Sequence, residues 1–154
     1  MASMAQPPER RSATRSSPVG AALERVGDRW SLLVVEALLG GQRRYNDLLE
    51  AMPGIAPNIL ADRLRRLERD GLVVARPYSE RPPRMDYELT AGGSDLAGVL
   101  RLLADWGARR ALPVGSPHEP TRHDACGTAL EARWYCPTCT IVVGDAEASA
   151  TRSV

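Results

Sequence analysis

The stretch from Ala56 to Leu89 constrains this chain more than any other. Ala56-Pro57 reads as a helix opening, because Pro57 at the first helical position gives up only an N–H that would be unpaired there. Leu60, Leu64 and Leu67 then recur on one helical face. At about 100° per residue, Asn58, Asp62, Arg65, Arg66 and Arg69 fall on the opposite one. Asp70-Gly71 ends the helix. Two strand-like runs follow, Leu72–Tyr78 and Arg84–Leu89, joined by Ser79-Glu80-Arg81-Pro82-Pro83. The two prolines cannot donate to a ladder and predict an irregular ribbon tip.

The flanking sequence narrows the choice further. Val19, Leu23 and Val26 share one face of a helix starting near Pro18, and Asp28 can cap the next, Arg29–Leu39. There Trp30, Leu33, Val34, Ala37 and Leu38 are spaced as a buried stripe, and Gly40-Gly41 stops it. A short helix, Tyr45–Met52, ends at Pro53-Gly54. Beyond the ribbon, Thr90 caps a long helix, Ala91–Ala111, whose stripe of Leu96, Val99, Leu100, Leu102, Leu103, Trp106 and Gly107 is wider than one small core requires. Four helices, the third of them short, then a two-stranded ribbon and a long helix predict a mainly α fold with a small β wing, a winged helix-turn-helix. The expected organisation is a disordered arm over 1–17, the winged domain over 18–111, a linker over 112–122, a ribbon-like segment over 123–142 and a flexible tail over 143–154.

Charge is divided unevenly. All 20 basic residues are arginine, 17 of them before residue 113 against 14 carboxylates, while the remainder holds 3 against 5. Arginine gives forked, always-charged donors suited to phosphates and guanine edges. No apolar run approaches a membrane span and no apolar signal segment opens the chain, so the expected address is the cytoplasm, and a DNA-binding fold would put it at the nucleoid. Two histidines, both in the C-terminal part, with no phosphate loop and no nucleophile–base pair, argue against an enzyme.

The three cysteines lie within fourteen residues, in the pattern His123-x2-Cys126-x9-Cys136-x2-Cys139. Two-residue gaps let backbone knuckles present paired ligands to one ion, and one His with three Cys suits a closed tetrahedral zinc site. Gly127 and Pro137 are typical of zinc-ribbon knuckles, which the segment resembles. His118 or Asp124 stands as an alternative to His123, and a Cys136–Cys139 dithiol switch as an alternative to metal.

From about Pro18 to Arg110 the chain resembles the HxlR-type family of bacterial winged helix-turn-helix regulators. The resemblance rests on GDRW before the second helix, RRYNDL, PGI followed by L-x-x-x-L-x-x-L, DGLV, and PPRMDYELT before the last helix, in that order. It implies a homodimer joined through its first and last helices, binding a palindromic double-stranded DNA operator and controlling transcription, most often as a repressor. The apolar stripe of Leu96, Val99, Leu100, Leu103 and Trp106 is what such a dimer needs. On chemistry, Asn58 and Asp62 near the start of the fourth helix are nominated for base edges, and Arg65 and Arg66 for bases or backbone. Asp62 has the alternative of holding Arg66 at i+4. Arg43, Arg44, Arg81 and Arg84 suit phosphates. Several relatives carry a cysteine just ahead of the first helix and sense oxidants with it. Here Ser16-Ser17 stands in that place, which argues against thiol sensing at the N-terminus. Two other roles stay open: a protein-interaction module using the ribbon, and a zinc- or redox-responsive regulator using Cys126, Cys136 and Cys139. A small-molecule effector is also left open, since no cluster of polar groups announces a pocket.

Overall fold

The structure, a computed structural model, describes residues 17–80, 82–110, 113, 120–144 and 147. The chain divides into two compact units, residues 1–97 and 98–154. In the first, α1 (Pro18–Val26) and α2 (Arg29–Leu39) lead into a two-residue strand β1 (Arg43–Arg44), then α3 (Tyr45–Ala51) and α4 (Pro57–Arg69). The ribbon β2 (Val73–Glu80) and β3 (Pro83–Leu89) follows, with a single turn α5 (Ala91–Ser94) behind it. Helix α6 (Leu96–Arg110) runs on into the second unit, where β4 (Trp134–Cys136) and β5 (Ile141–Val143) form a separate pair.

Each helix start has a local cause. Ser17 Oγ accepts the Gly20 N–H at 2.9 Å and Pro18 takes the first helical position of α1. Asp28 does more at the start of α2: Oδ1 accepts the Trp30 and Ser31 amides at 3.1 and 3.0 Å, and Oδ2 accepts the Ser31 hydroxyl at 2.5 Å. Satisfied in this way, Ser31 can be fully buried. The inward face of α2 is therefore Ser31, Val34, Val35 and Leu38, and Leu33, expected in the buried stripe, is exposed. Leu60, Leu64 and Leu67 of α4 do form the buried stripe, packed in a core with Val34, Val35, Leu38, Leu48, Met52, Ile55 and Val73.

The sheet has three antiparallel strands in the order β1-β3-β2, with Arg43 opposite Tyr87 and Arg44 opposite Asp86. β2 and β3 pair from Val73↔Leu89 out to Glu80↔Pro83. Pairing thus reaches closer to the tip than expected, because Pro83 opens its strand, a position where a missing N–H is tolerated. The irregularity lies further in, as a register shift between Pro77 and Ser79. The expected continuous helix Ala91–Ala111 is instead interrupted at Asp95, and Ala111 lies outside the described residues. Thr90 Oγ1 donates to Gly71 O at 2.6 Å and accepts the Gly93 N–H at 3.1 Å, which fixes α5 against the end of the sheet. There the backbones approach so closely that a Cβ on Gly93 would sit 2.1 Å from Leu72 O. Gly93→Ala should therefore destabilise the winged domain by roughly 1–3 kcal/mol, since backbone must shift to admit one methyl. Urea unfolding at constant m checks this, and an unchanged midpoint would refute the close approach.

Candidate nucleic-acid interface

The turn between α3 and α4 is set from both sides. Met52 and Ile55 are buried beneath it, with the Ile55 N–H on Met52 O at 3.2 Å. The Tyr45 hydroxyl reaches across to donate to Pro57 O at 2.6 Å, tying the start of α3 to the start of α4. From the other flank, Arg63 Nε lies 3.0 Å from Asp28 Oδ1, an ion pair between α4 and the cap of α2, although its N–H is not aligned for a hydrogen bond. Helix α4 is thus held at its N-terminus by a tyrosine and at mid-length by an arginine, with its apolar side buried. Neither Tyr45 nor Arg63 was singled out from the sequence. The i, i+3 periodicity that found the leucines carries no signal for side chains working across elements.

Outward from this frame, Asn58, Asp62, Arg65 and Arg69 are exposed along one side of α4. Asp62 pairs with Arg63 Nη1 at 2.9 Å and not with Arg66. Arg66 is half-buried: it donates to Glu24 O in the last turn of α1 and lies 3.9 Å from Asp70. Arg43 behaves alike, its Nε donating at 2.8 Å to Ala37 O in the last turn of α2. Both guanidinium groups satisfy carbonyls that a helix C-terminus leaves unpaired. Arg44 is exposed, stacked 4.6 Å above the Tyr78 ring centroid and 3.7 Å from Asp86, so it links the strand before α3 to the wing. On the wing, Arg84 is exposed and Arg76 pairs with Glu88, its diagonal neighbour across the strands. Arg81 lies outside the described residues. Arg65 and Arg69 make no ion pair or hydrogen bond among the described residues, which leaves them, with Asn58, as the readiest donors on this face.

Of the apolar residues nominated for dimerisation, Val99, Leu103 and Trp106 are 56%, 47% and 55% exposed, while Leu96 is half-buried and Leu100 buried. Val19 and Leu23 on α1 are also exposed, at 65% and 55%. In the second unit, His123 Nδ1 lies 3.2 Å from Cys126 Sγ, and Cys136 is hydrogen-bonded to Cys139. The four nominated ligands stand as two pairs; among the described residues no three metal-binding side chains converge. Hydrogen bonds from Thr128 and His123 hold the Cys126 thiol below its ordinary value, and those from Cys139 and Thr138 do the same for Cys136. Asp124 is exposed on the same turn, and His118 lies outside the described residues.

A short helix, a tight turn, a second helix with an exposed polar side and a three-stranded wing together define a winged helix-turn-helix DNA-binding protein. Residues 25–113 match the family described as HxlR-like helix-turn-helix, and the chain belongs to that family. An uncharacterized HTH-type transcriptional regulator of Mycobacterium tuberculosis, Rv3095, is 38% identical over 121 residues, 79% of this chain and 76% of its own. The crystal structure of PA1607, described as a transcription factor, superposes with a TM-score of 0.75 at 28% identity over 89% of this chain and 95% of its own. The redox regulator HypR in its reduced form gives a TM-score of 0.59 at 30% identity, over 62% of this chain and 94% of its own. The protein is a transcriptional regulator with a DNA-binding domain, not an enzyme. Among the described residues no helix is long and apolar enough to cross a membrane.

The Asp28 cap predicts a pH signature. Burial raises its pKa, but the Ser31 hydroxyl and amide, the Arg63 charge and the Trp30 amide together outweigh burial and bring it below 3.8. A depressed carboxylate contributes stability that is complete above the unfolded-state value and is lost as pH falls through the folded one. Asp28→Ala should lower stability by about 1–2 kcal/mol at pH 7, and the gap to wild type should close on acidification below about pH 4. Chemical unfolding across pH 2–7 gives the gap directly, and a gap that is the same at every pH would exclude a charged cap.

Proposed function

We propose that two copies of this chain act together as an operator-specific repressor, inserting α4 of each into successive major grooves of a palindromic site. The observation that carries this reading is the exposed row Asn58, Asp62, Arg65 and Arg69 on a helix whose other side is locked into the core. Asn58 in the first turn is suited to adenine by a bidentate pair and Arg65 to guanine, with Arg69, Arg44 and Arg84 placed for phosphates. Asp62, paired with Arg63, is less exposed to phosphate repulsion than a free carboxylate and can still accept from a cytosine amino group. Dimerisation is supported by the exposed apolar residues Val19 and Leu23 on α1 and Val99, Leu103 and Trp106 on α6, large side chains that water would otherwise cover. Repression requires only that such a dimer occupy a promoter tightly. The address consistent with this role is the nucleoid in the cytoplasm.

HypR is a redox regulator by description, but this chain has Ser16-Ser17 and no cysteine just ahead of α1, and Ser17 is occupied as the cap of that helix. The control exerted here therefore does not use a thiol at that position.

Footprinting on DNA upstream of the protein's own gene should locate the operator. Against it, Asn58→Ala and Arg65→Ala should each weaken binding by about 1–3 kcal/mol, with a smaller loss on random DNA at the same salt. Equal losses on both DNAs would reassign these residues to the backbone, and no loss would remove α4 from the interface. Arg69→Ala should instead reduce the salt dependence of binding by about one counterion. Leu103→Glu or Trp106→Glu should give monomers with poor operator affinity, because two half-sites no longer act in concert. A stable wild-type monomer at micromolar concentration in sedimentation would overturn the dimer.

A further inference from the structure

Residues 121–143 fold as two short hairpins. In the first, Arg122 bridges Ala129, the His123 N–H donates to Thr128 O at 2.9 Å and the Leu130 N–H to Thr121 O at 2.7 Å. In the second, β4 and β5 pair from Trp134↔Val143 to Cys136↔Ile141. Each hairpin tip carries two sulfur or imidazole donors. At the first tip, Gly127 takes a φ of 70° and its N–H closes on His123 O at 2.7 Å, which brings His123 Nδ1 within 3.2 Å of Cys126 Sγ. Zinc bonds of about 2.3 Å to sulfur and 2.0 Å to nitrogen imply an N···S edge of about 3.5 Å in a tetrahedron, so this pair is already close to the required span. At the second tip, Cys136 Sγ accepts the amides of Thr138 and Cys139, and Thr140 turns the chain with a φ of 56°. Both tips are knuckles that present two donors from one tight turn.

What holds the hairpins is the difficulty. None of residues 121–144 is buried, and Leu130, Trp134, Tyr135, Ile141 and Val142 are each more than half exposed. Strands of three residues with no core are unstable alone in water, and segments this small need a staple. We propose that one zinc ion joins the two tips through His123, Cys126, Cys136 and Cys139, and that its binding fixes one hairpin on the other. Sulfur and imidazole donors select zinc over magnesium or calcium, and four protein ligands leave no open position for substrate. On binding, the three thiols release three protons to solvent and the imidazole enters neutral, so affinity falls as pH is lowered. The ion is a staple. The PA1607 match, at 89% of this chain, cannot be confined to residues 25–113, so at least one solved relative extends beyond the winged domain.

Purified full-length protein, reduced and dialysed with zinc alone as the probe, should hold about one ion per chain by elemental analysis. Cobalt in its place should give the d–d bands of a tetrahedral ion and a thiolate charge-transfer band. Chelation should speed hydrogen exchange in residues 120–144 and leave residues 29–73 unchanged, with operator affinity altered less than twofold. Cys136→Ser with Cys139→Ser should abolish the cobalt bands, and the unchanged exchange of residues 29–73 shows that the loss is not general unfolding. Protein that takes up no zinc, a pair variant that binds as well as wild type, or a mass two hydrogens lower from a Cys136–Cys139 disulfide under reducing dialysis would each overturn the site. Operator affinity that swings tenfold or more with free zinc would overturn its role as a staple.

Discussion

The winged domain depends on one carboxylate. Asp28 starts α2, lets Ser31 be buried and meets Arg63 on α4, so a single side chain couples two helices at one point. Its two oxygens accept from two amides and a hydroxyl and lie beside a guanidinium, so hydrogen bonds take most of a carboxylate's capacity and an ion pair adds to them. The orientation of α4 follows, because Arg63 sits between the buried stripe and the exposed row and fixes the roll of the helix about its axis. Tyr45 fixes the same helix along its length. A reading helix that could roll would present Asn58 and Arg65 at no constant angle, and base recognition needs one.

How much of this was legible depended on the distance over which each interaction acts. The stripe of Leu60, Leu64 and Leu67, the cap at Asp28 and the glycine stops are local, and the structure has them as the sequence implies. The inward face of α2 was read one step out of phase, with Leu33 in place of Val35, because hydrophobicity alone does not foresee that a polar Ser31 would be buried once its hydroxyl was satisfied. Strand β1 has two residues, too few for any period, and exists only because β3 lies beside it. Arg43 and Arg66 show a different limit. A helical projection gives the direction in which a side chain leaves the backbone, while a long arginine can curl back to an open carbonyl, and these two do. Of the arginines nominated for DNA, Arg44, Arg65 and Arg84 keep their charged ends outward, although Arg44 is already engaged with the Tyr78 ring and Asp86.

The same two arginines explain why a protein with many basic residues need not be strongly basic at its working surface. Charge that satisfies helix ends contributes to folding, and only the remainder is offered to a polyanion. With a formal net charge of +1, the chain has little general attraction for nucleic acid. Under the operator-binding role proposed above, selectivity rests on a few well-placed donors more than on bulk charge.

The register shift at Pro77–Ser79 gives the wing two mechanical parts. Below it the ribbon is three strands wide, anchored through β1 and by Arg44 stacked on Tyr78. Above it only two strands remain, with prolines that remove ladder bonds. The lower part is a plinth three strands wide, and the upper part stands on it as a vane of two. In the interface proposed above, Arg44 rests on the plinth and Arg84 on the vane, so two of its phosphate-facing arginines stand on supports of different width.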